Sequence, residues 1–328
     1  MSISRPAPPL VTSLADVVGG TPAVELVRTV AALGLEGRII CKLEYLNPGF
    51  SKKDRPALEM VREARAEGSL QPGQPVVELT SGNTGTGLAI VCRALGHPFV
   101  AVMSAGNSVE RARMMAALGA RVEIVAQAPG SPHGQVSGAD LALVERRAEQ
   151  IVTEEGAFRA DQFRLAASAL AHERTTGPEL WEQSSGTIDV FVDFVGSAGS
   201  FGGVMRALRS FEPGVRGYVV EPAGAAVLAG RAVTAPNHRI QGGGYSIEEA
   251  QLPLLDGCAV DGYLQVSDDE AIVHARHLAE VEGIFAGFSA GANLAAAVQL
   301  LRGAERGATI GILACDSGLK YLSTDLYR

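Results

Sequence analysis

Short apolar runs alternate along this chain with longer stretches whose apolar positions recur at helical spacing. Residues 38–43, 76–79, 99–103, 121–126, 188–195, 215–221 and 309–314 read as strands, because each is a brief hydrophobic run bounded by turn formers. Between them, Ala57, Val61 and Ala64 fall on one helical face. Leu141, Val144, Ala148 and Ile151 do the same while Glu145, Arg146, Arg147 and Glu149 fall elsewhere. Helices are also predicted over 85–94, from Ser108 to a stop at Gly119, and over 268–282 and 289–301. The run 188–195 is apolar apart from Asp193, as in a parallel strand buried on both faces. Strand–helix alternation of this kind predicts an α/β fold of mainly parallel, twisted sheets flanked by helices and joined by right-handed crossovers. The strands exceed what one compact core holds at 328 residues, so two sheets in two domains are expected.

Composition narrows the class. With 47% hydrophobic and 20% charged residues the chain is globular, and its 39 glycines cluster after apolar runs, where α/β folds build backbone-lined ligand sites. A net charge of −8, with no basic stripe interleaved with aromatics, argues against nucleic-acid binding. Cys41, Cys92, Cys258 and Cys315 form no CxxC and read as small core residues in a reducing compartment, with neither zinc nor disulfides implied. The N-terminal segment lacks the apolar core of a signal peptide, and no stretch offers the ~20 uncharged apolar residues of a membrane span, so a cytoplasmic location is expected. Residues 1–12 are expected to be a loose arm and 127–138 a surface loop.

Three turns at strand-to-helix junctions carry candidate chemistry. Thr80-Ser81-Gly82-Asn83-Thr84-Gly85 would gather hydroxyls, an amide and free backbone N–H groups at a helix N-terminus, a site for a carboxylate or phosphate; a simple helix cap is the plainer alternative. Gly196-Ser197-Ala198-Gly199-Ser200 repeats that construction. With Glu221 ending the next strand it could be a dinucleotide turn, but the GxGxxG spacing would need glycine at Ala198 and Phe201. Gly287-Phe288-Ser289-Ala290-Gly291 opens a third helix, where Ser289 is either a cap or a hydroxyl for a heterocyclic nitrogen. Upstream, Asn47-Pro48-Gly49-Phe50-Ser51-Lys52-Lys53-Asp54-Arg55 is a turn running into a helix. Read alone it is a solvated basic turn, yet Lys53, placed near helix N-termini and a phosphate cradle, could be kept neutral enough to form a Schiff base. His274 and His277 lie three apart without a third ligand, so no metal is expected.

Taken in order with Thr175-Thr176-Gly177-Pro178-Glu179, His238-Arg239-Ile240-Gln241-Gly242, Asp316-Ser317-Gly318 and Tyr321-Leu322-Ser323, these motifs resemble the cysteine synthase and cystathionine β-synthase family of fold-type II pyridoxal-phosphate enzymes. The likeness runs from about residue 14 to the C-terminus and is closest to O-acetylserine sulfhydrylases. It implies a two-domain fold, tryptophan synthase β-like, with a larger cofactor-holding domain (1–46 plus 160–328) and a smaller mobile domain (47–159). It implies Lys53 as the Schiff-base lysine that also takes the α-proton, and Asn83 at the cofactor's 3-oxygen. Thr80, Ser81, Gly82 and Thr84, with Gln162, would grip the substrate carboxylate. Gly196, Ser197, Ala198, Gly199 and Ser200 would cradle the phosphate, and Ser289 would face the pyridine nitrogen. The implied reaction is β-replacement on an activated L-serine through an α-aminoacrylate, with O-acetyl-L-serine and sulfide giving L-cysteine as the leading case. The implied partners are an amino-acid substrate, a small nucleophile and a second copy in a homodimer.

The chain departs from the family pattern in places. Ala198 replaces a cradle glycine and serines replace threonines, which keeps the hydroxyls; Arg164-Leu165-Ala166-Ala167-Ser168 stands where an Asn-Pro segment is usual; and Phe50 stands where a small residue is common. These differences bear on the substrate pair, leaving open another nucleophile or leaving group (cystathionine, 2,3-diaminopropionate or another non-protein amino acid) or a catalytically silent regulatory relative.

Overall fold

The computed structural model describes residues 10–131, 136, 138–246 and 252–328. Residues 1–9 of the arm expected over 1–12, and residues 132–135 and 137 of the 127–138 loop, lie outside these residues. The strands are β1 (Ala23–Glu25), β2 (Arg38–Lys42), β3 (Val76–Leu79), β4 (Phe99–Ser104), β5 (Arg121–Val125), β6 (Phe158–Arg159), β7 (Val190–Phe194), β8 (Arg216–Pro222), β9 (Gly262–Val266) and β10 (Thr309–Leu313). The helices are α1 (Val27–Ala32), α2 (Asp54–Ala66), α3 (Asn83–Leu95), α4 (Val109–Ala117), α5 (Gly138–Glu155), α6 (Ala167–Ala171), α7 (Gly177–Gln183), α8 (Gly199–Phe211), α9 (Asp268–His277) and α10 (Phe288–Arg302).

Two sheets form. One has six strands in the order β1-β2-β10-β7-β8-β9, and the other four in the order β5-β4-β3-β6. All pairings between these strands are parallel except β1 with β2, which is antiparallel, so the sheets are mainly parallel as expected. Both sheets are covered on both faces, which explains why their strands read as continuous apolar runs. In the larger sheet Ile39, Cys41, Val190, Val192, Ile310 and Ile312 pack with Leu294 and Val298 of α10. Ile40, Phe191, Val219 and Leu313 point the other way, against Phe201, Val204 and Leu208 of α8. In the smaller sheet Val76, Phe99, Ala101 and Met103 meet Met60 of α2 and Leu88 of α3, while Val77, Val100 and Val102 meet Val144, Ala148 and Ile151 of α5.

Topology brings distant segments together. β10 lies between β2 and β7, so the chain leaving these three neighbours carries the lysine stretch, Cys315-Asp316 and the Gly196–Ser200 turn to one end of the sheet, the crevice where open α/β sheets bind ligands. The lysine stretch is stitched to the segment after β10: Lys52 N–H donates to Cys315 O at 2.8 Å and Ser317 N–H to Phe50 O at 3.1 Å. Helix α3 crosses the same stretch closely, since a Cβ on Gly87 would lie 3.0 Å from Lys53 O. Arg55, in the first turn of α2, is buried and anchors the stretch from below. It donates to both oxygens of Glu44 at 2.7 and 2.8 Å and to both oxygens of Glu179 at 2.7 and 2.8 Å.

Candidate active site

A cleft between the two sheets is lined by Lys53, Thr80, Ser81, Asn83, Thr84, Gln162 and Ser197, all anticipated from the sequence, together with Arg111, Phe163, Gly242, Tyr245 and Tyr321. Lys53 precedes α2 as its N-cap residue, so its amine stands at a loop-to-helix junction. Burial, reinforced by the positive charge of Lys52, lowers the Lys53 ammonium to about 8, even though Asp193 pulls the other way. A sizeable fraction of this lysine is therefore a free amine near neutrality, as a nucleophilic lysine requires.

On the opposite wall the turn after β3 is tighter than the sequence suggested, because α3 already begins at Asn83. The Thr80 hydroxyl closes this turn by accepting from Gly82 N–H at 3.0 Å and Gly85 N–H at 2.9 Å, which satisfies donors that a helix start leaves without partners. Thr84 donates its hydroxyl to Gln162 Oε1 at 2.6 Å, which joins two residues implicated separately. The Asn83 amide is clamped from both ends: Nδ2 donates to Asp316 Oδ2 at 2.7 Å, and Oδ1 accepts from Lys320 Nζ at 2.6 Å. Tyr321 donates its hydroxyl to the same Asp316 oxygen at 2.6 Å. Lys320 is lowered to about 8 by burial, against the pull of Asp316 and Asp54. Arg111 reaches from α4 to Ser81 O at 2.8 Å, also bonds Gln241, and lies over the Tyr321 ring at 5.7 Å.

Past β7, Ala198 adopts the left-handed conformation (φ 65°) and is the N-cap of α8, so the first N–H groups of the helix have no partner within it. There is no room for side chains at the flanking glycines: a Cβ on Gly196 would meet Gly242 O at 2.8 Å, and one on Gly199 would meet Ser168 Oγ at 2.9 Å. Backbone, free N–H groups, the Ser197 hydroxyl and a helix dipole make a concave donor set that fits a phosphate, while the Ser200 hydroxyl is turned to Asp193 and contributes its backbone position. Ser289 lies behind this cleft, next to the segment that clamps Asn83. It is the second residue of α10, whose N-cap is Gly287, and its hydroxyl bonds the Cys315 thiol. Phe50, beside the lysine, holds φ 61° and is 47% exposed.

The chain matches the family model for pyridoxal-phosphate dependent enzymes over residues 14–316. It belongs to that family. Cysteine synthase of Staphylococcus aureus (strain Mu50 / ATCC 700699) is 38% identical over 318 residues, 97% of each chain. O-ureido-L-serine synthase of Streptomyces lavendulae is 37% identical over 321 residues, 97% of this chain and 93% of that protein. Among solved structures, O-acetyl serine sulfhydrylase isoform 3 from Entamoeba histolytica superposes with a TM-score of 0.86 at 31% identity, covering 100% of this chain and 94% of that one. This pyridoxal-phosphate dependent enzyme thus brings the Lys53 amine, the 80–84 turn and Ser197 of the 196–200 turn to one cleft, and its cofactor is pyridoxal phosphate.

Several site residues went unread in the sequence. Asp316 and Tyr321 were visible only as members of a motif, and Lys320, Arg111 and Tyr245 gave no signal of their own. Asp193, as the one charge in an otherwise apolar run, was a visible anomaly whose partner, Lys52, lies 141 residues away. Beside the cleft, and sharing Thr80, Ser81, Gln162, Phe163 and Tyr245 with it, opens a cavity of about 920 Å³ whose walls mix Leu79, Met103, Leu141 and Val144 with Glu145, Arg159, Asp161 and Arg164. Among the described residues no group of three His, Cys, Asp or Glu is placed to hold a metal, and no helix is long and apolar enough to cross a membrane.

Proposed function

We propose that the protein replaces the β-substituent of an activated L-serine, with O-acetyl-L-serine and sulfide yielding L-cysteine as the leading case. The observation that carries this is the Lys53 amine, lowered to about 8 and set between the two turns. Bound pyridoxal phosphate supplies an electron sink that makes the substrate's α-proton removable and its β-substituent expellable. Lys53 is the amine that attaches the cofactor's aldehyde, and once released it is the base that takes the α-proton and returns it. Asn83, fixed by Asp316 and Lys320, holds the cofactor's ring oxygen. Ser81, Gly82 and Thr84 bind the substrate carboxylate, with Gln162 orienting Thr84 and Thr80 shaping the turn. Gly196, Ser197, Ala198, Gly199 and Ser200 hold the phosphate, and Ser289 is the partner of the pyridine nitrogen.

In the same reading residues 47–159 form a smaller domain that closes on the filled carboxylate turn, while 1–46 with 160–328 hold the cofactor. The active species is a homodimer, and the four buried free cysteines suit the cytoplasm. The 920 Å³ cavity beside the carboxylate turn favours a second reading, in which the nucleophile is larger than sulfide. Incubation with O-acetyl-L-serine and equal sulfide, homocysteine and ammonia, followed by product analysis, separates the two. Cysteine as the dominant product supports the first reading, cystathionine or 2,3-diaminopropionate the second, and no β-replacement product with any donor overturns both.

A further inference from the structure

Lys52 and Lys53 are neighbours in the turn that enters α2, yet only Lys53 lines the cleft. Lys52 is 7% exposed, and its ammonium lies 2.9 Å from each oxygen of Asp193 and 2.8 Å from Ser200 Oγ. Ser200 in turn donates its hydroxyl to Asp193 Oδ2, and Asn293 Nδ2 lies 3.3 Å from Asp193 Oδ1. A buried pair of this kind gains little over apolar residues of the same volume, so the fold itself gives no reason for a lysine here. What distinguishes it is its place, because Lys52 bonds Ser200 and the carboxylate that fixes Ser200, with the Cys315 thiol as a further partner.

Ser200 belongs to the turn we assign to the phosphate. Its proton is held by Asp193 and its oxygen receives a proton from Lys52, so its orientation is set by the pair and not by rotation of a free hydroxyl. The N-terminus of α8 offers about half a positive charge, whereas a phosphate monoester brings close to two negative ones. The Asp193 carboxylate stands within hydrogen-bond distance of the cradle's last hydroxyl, and Lys52 neutralises it there, so that no net negative charge lies beneath the cradle. We propose that Lys52, held by Asp193, is a positioning residue for the cofactor's phosphate, acting through Ser200 at the floor of the cradle.

The proposal rests on the cradle being at 196–200, and the test keeps the two apart. Apoenzyme is titrated with pyridoxal phosphate and with pyridoxal, which lacks the phosphate, using quenching of the single tryptophan, Trp181. The comparison runs across wild type, Lys52→Met/Asp193→Ala, Lys52→Met and Ser197→Ala. The double variant replaces the pair with apolar groups and so preserves the fold. It is expected to lose about 10- to 100-fold in affinity for pyridoxal phosphate while pyridoxal binds as before. Lys52→Met alone, which strands a carboxylate beside the cradle, is expected to lose more. The 31P resonance of the bound cofactor should also shift in the double variant. A double variant that binds both ligands like wild type, or loses both equally, overturns the role of Lys52. If Ser197→Ala also leaves the preference for the phosphorylated ligand intact, the cradle assignment falls with it.

Discussion

Replacing Arg55 with methionine tests whether the lysine stretch is anchored by charge. The guanidinium is buried and its five N–H···O contacts reach Glu44, Glu179 and Thr21, all between 2.7 and 3.1 Å. Methionine fills much of the volume but leaves Glu44 and Glu179 with Lys42, which is already 2.8 Å from Glu179, as the remaining cation. Stranding a buried charge in this way costs about 3–5 kcal/mol, a fall in Tm on the order of 10 °C for a chain of this size. The pH dependence gives the sharper test. In the native protein burial alone would raise Glu44, but Arg55 overcomes it and holds the carboxyl below its usual range. Glu44 therefore contributes stability that is present above the ordinary carboxylate range and lost as pH falls. In Arg55→Met burial prevails, Glu44 is raised instead, and the sign reverses. The deficit in unfolding free energy, measured by urea melts from about pH 8 to about pH 5, should be largest at high pH and shrink on acidification. A deficit below about 1 kcal/mol that is flat across this range would mean that Arg55 does not hold Glu44 by charge.

Two further outcomes follow from the site. Uptake of pyridoxal phosphate by apoenzyme should accelerate with rising pH and level off near 8, since Lys53 is lowered to about 8 by burial and by Lys52; at pH 7.5 about a quarter of it is neutral, against about a thousandth of an ordinary lysine. A rate still climbing tenfold per unit above pH 9 would show an unperturbed amine. Asp316→Ala removes the acceptor shared by Asn83 and Tyr321, and with it about 1.5–3 kcal/mol of charged hydrogen bonding. Cofactor affinity measured by fluorescence should fall about 10- to 100-fold, and unchanged affinity would mean that Asn83 needs no clamp.

The strands nearest the crevice were legible because burial on both faces leaves continuous apolar runs, as at 188–195 and 309–314. β1 and β6 were not, being three and two residues long, too short to show a period. β9 lies at the sheet edge, half-buried, and its Gly262-Tyr263-Leu264-Gln265 carries no clean alternation. The segment 167–183 is alanine-rich and passes through a wide π turn at His172–Thr176, so its helical face drifts. Lys53 could be singled out by its neighbours in sequence, but the burial of Lys52 could not, because a Lys-Lys pair is ordinarily a wet turn and only Asp193, delivered by parallel pairing, makes it otherwise. The clamp on Asn83 is non-local in the same way, since Asp316 and Lys320 follow β10 and meet α3 only once both sheets have formed.

The central claim is that Lys53 carries the cofactor and the first half of a β-replacement. The most direct test is the visible spectrum of the purified protein, with and without Lys53→Ala, before and after O-acetyl-L-serine is added in the absence of any nucleophile. A yellow band that depends on Lys53 and moves to longer wavelength on addition is the predicted result. A band that Lys53→Ala leaves untouched, or a colourless protein that pyridoxal phosphate cannot reconstitute, would contradict it.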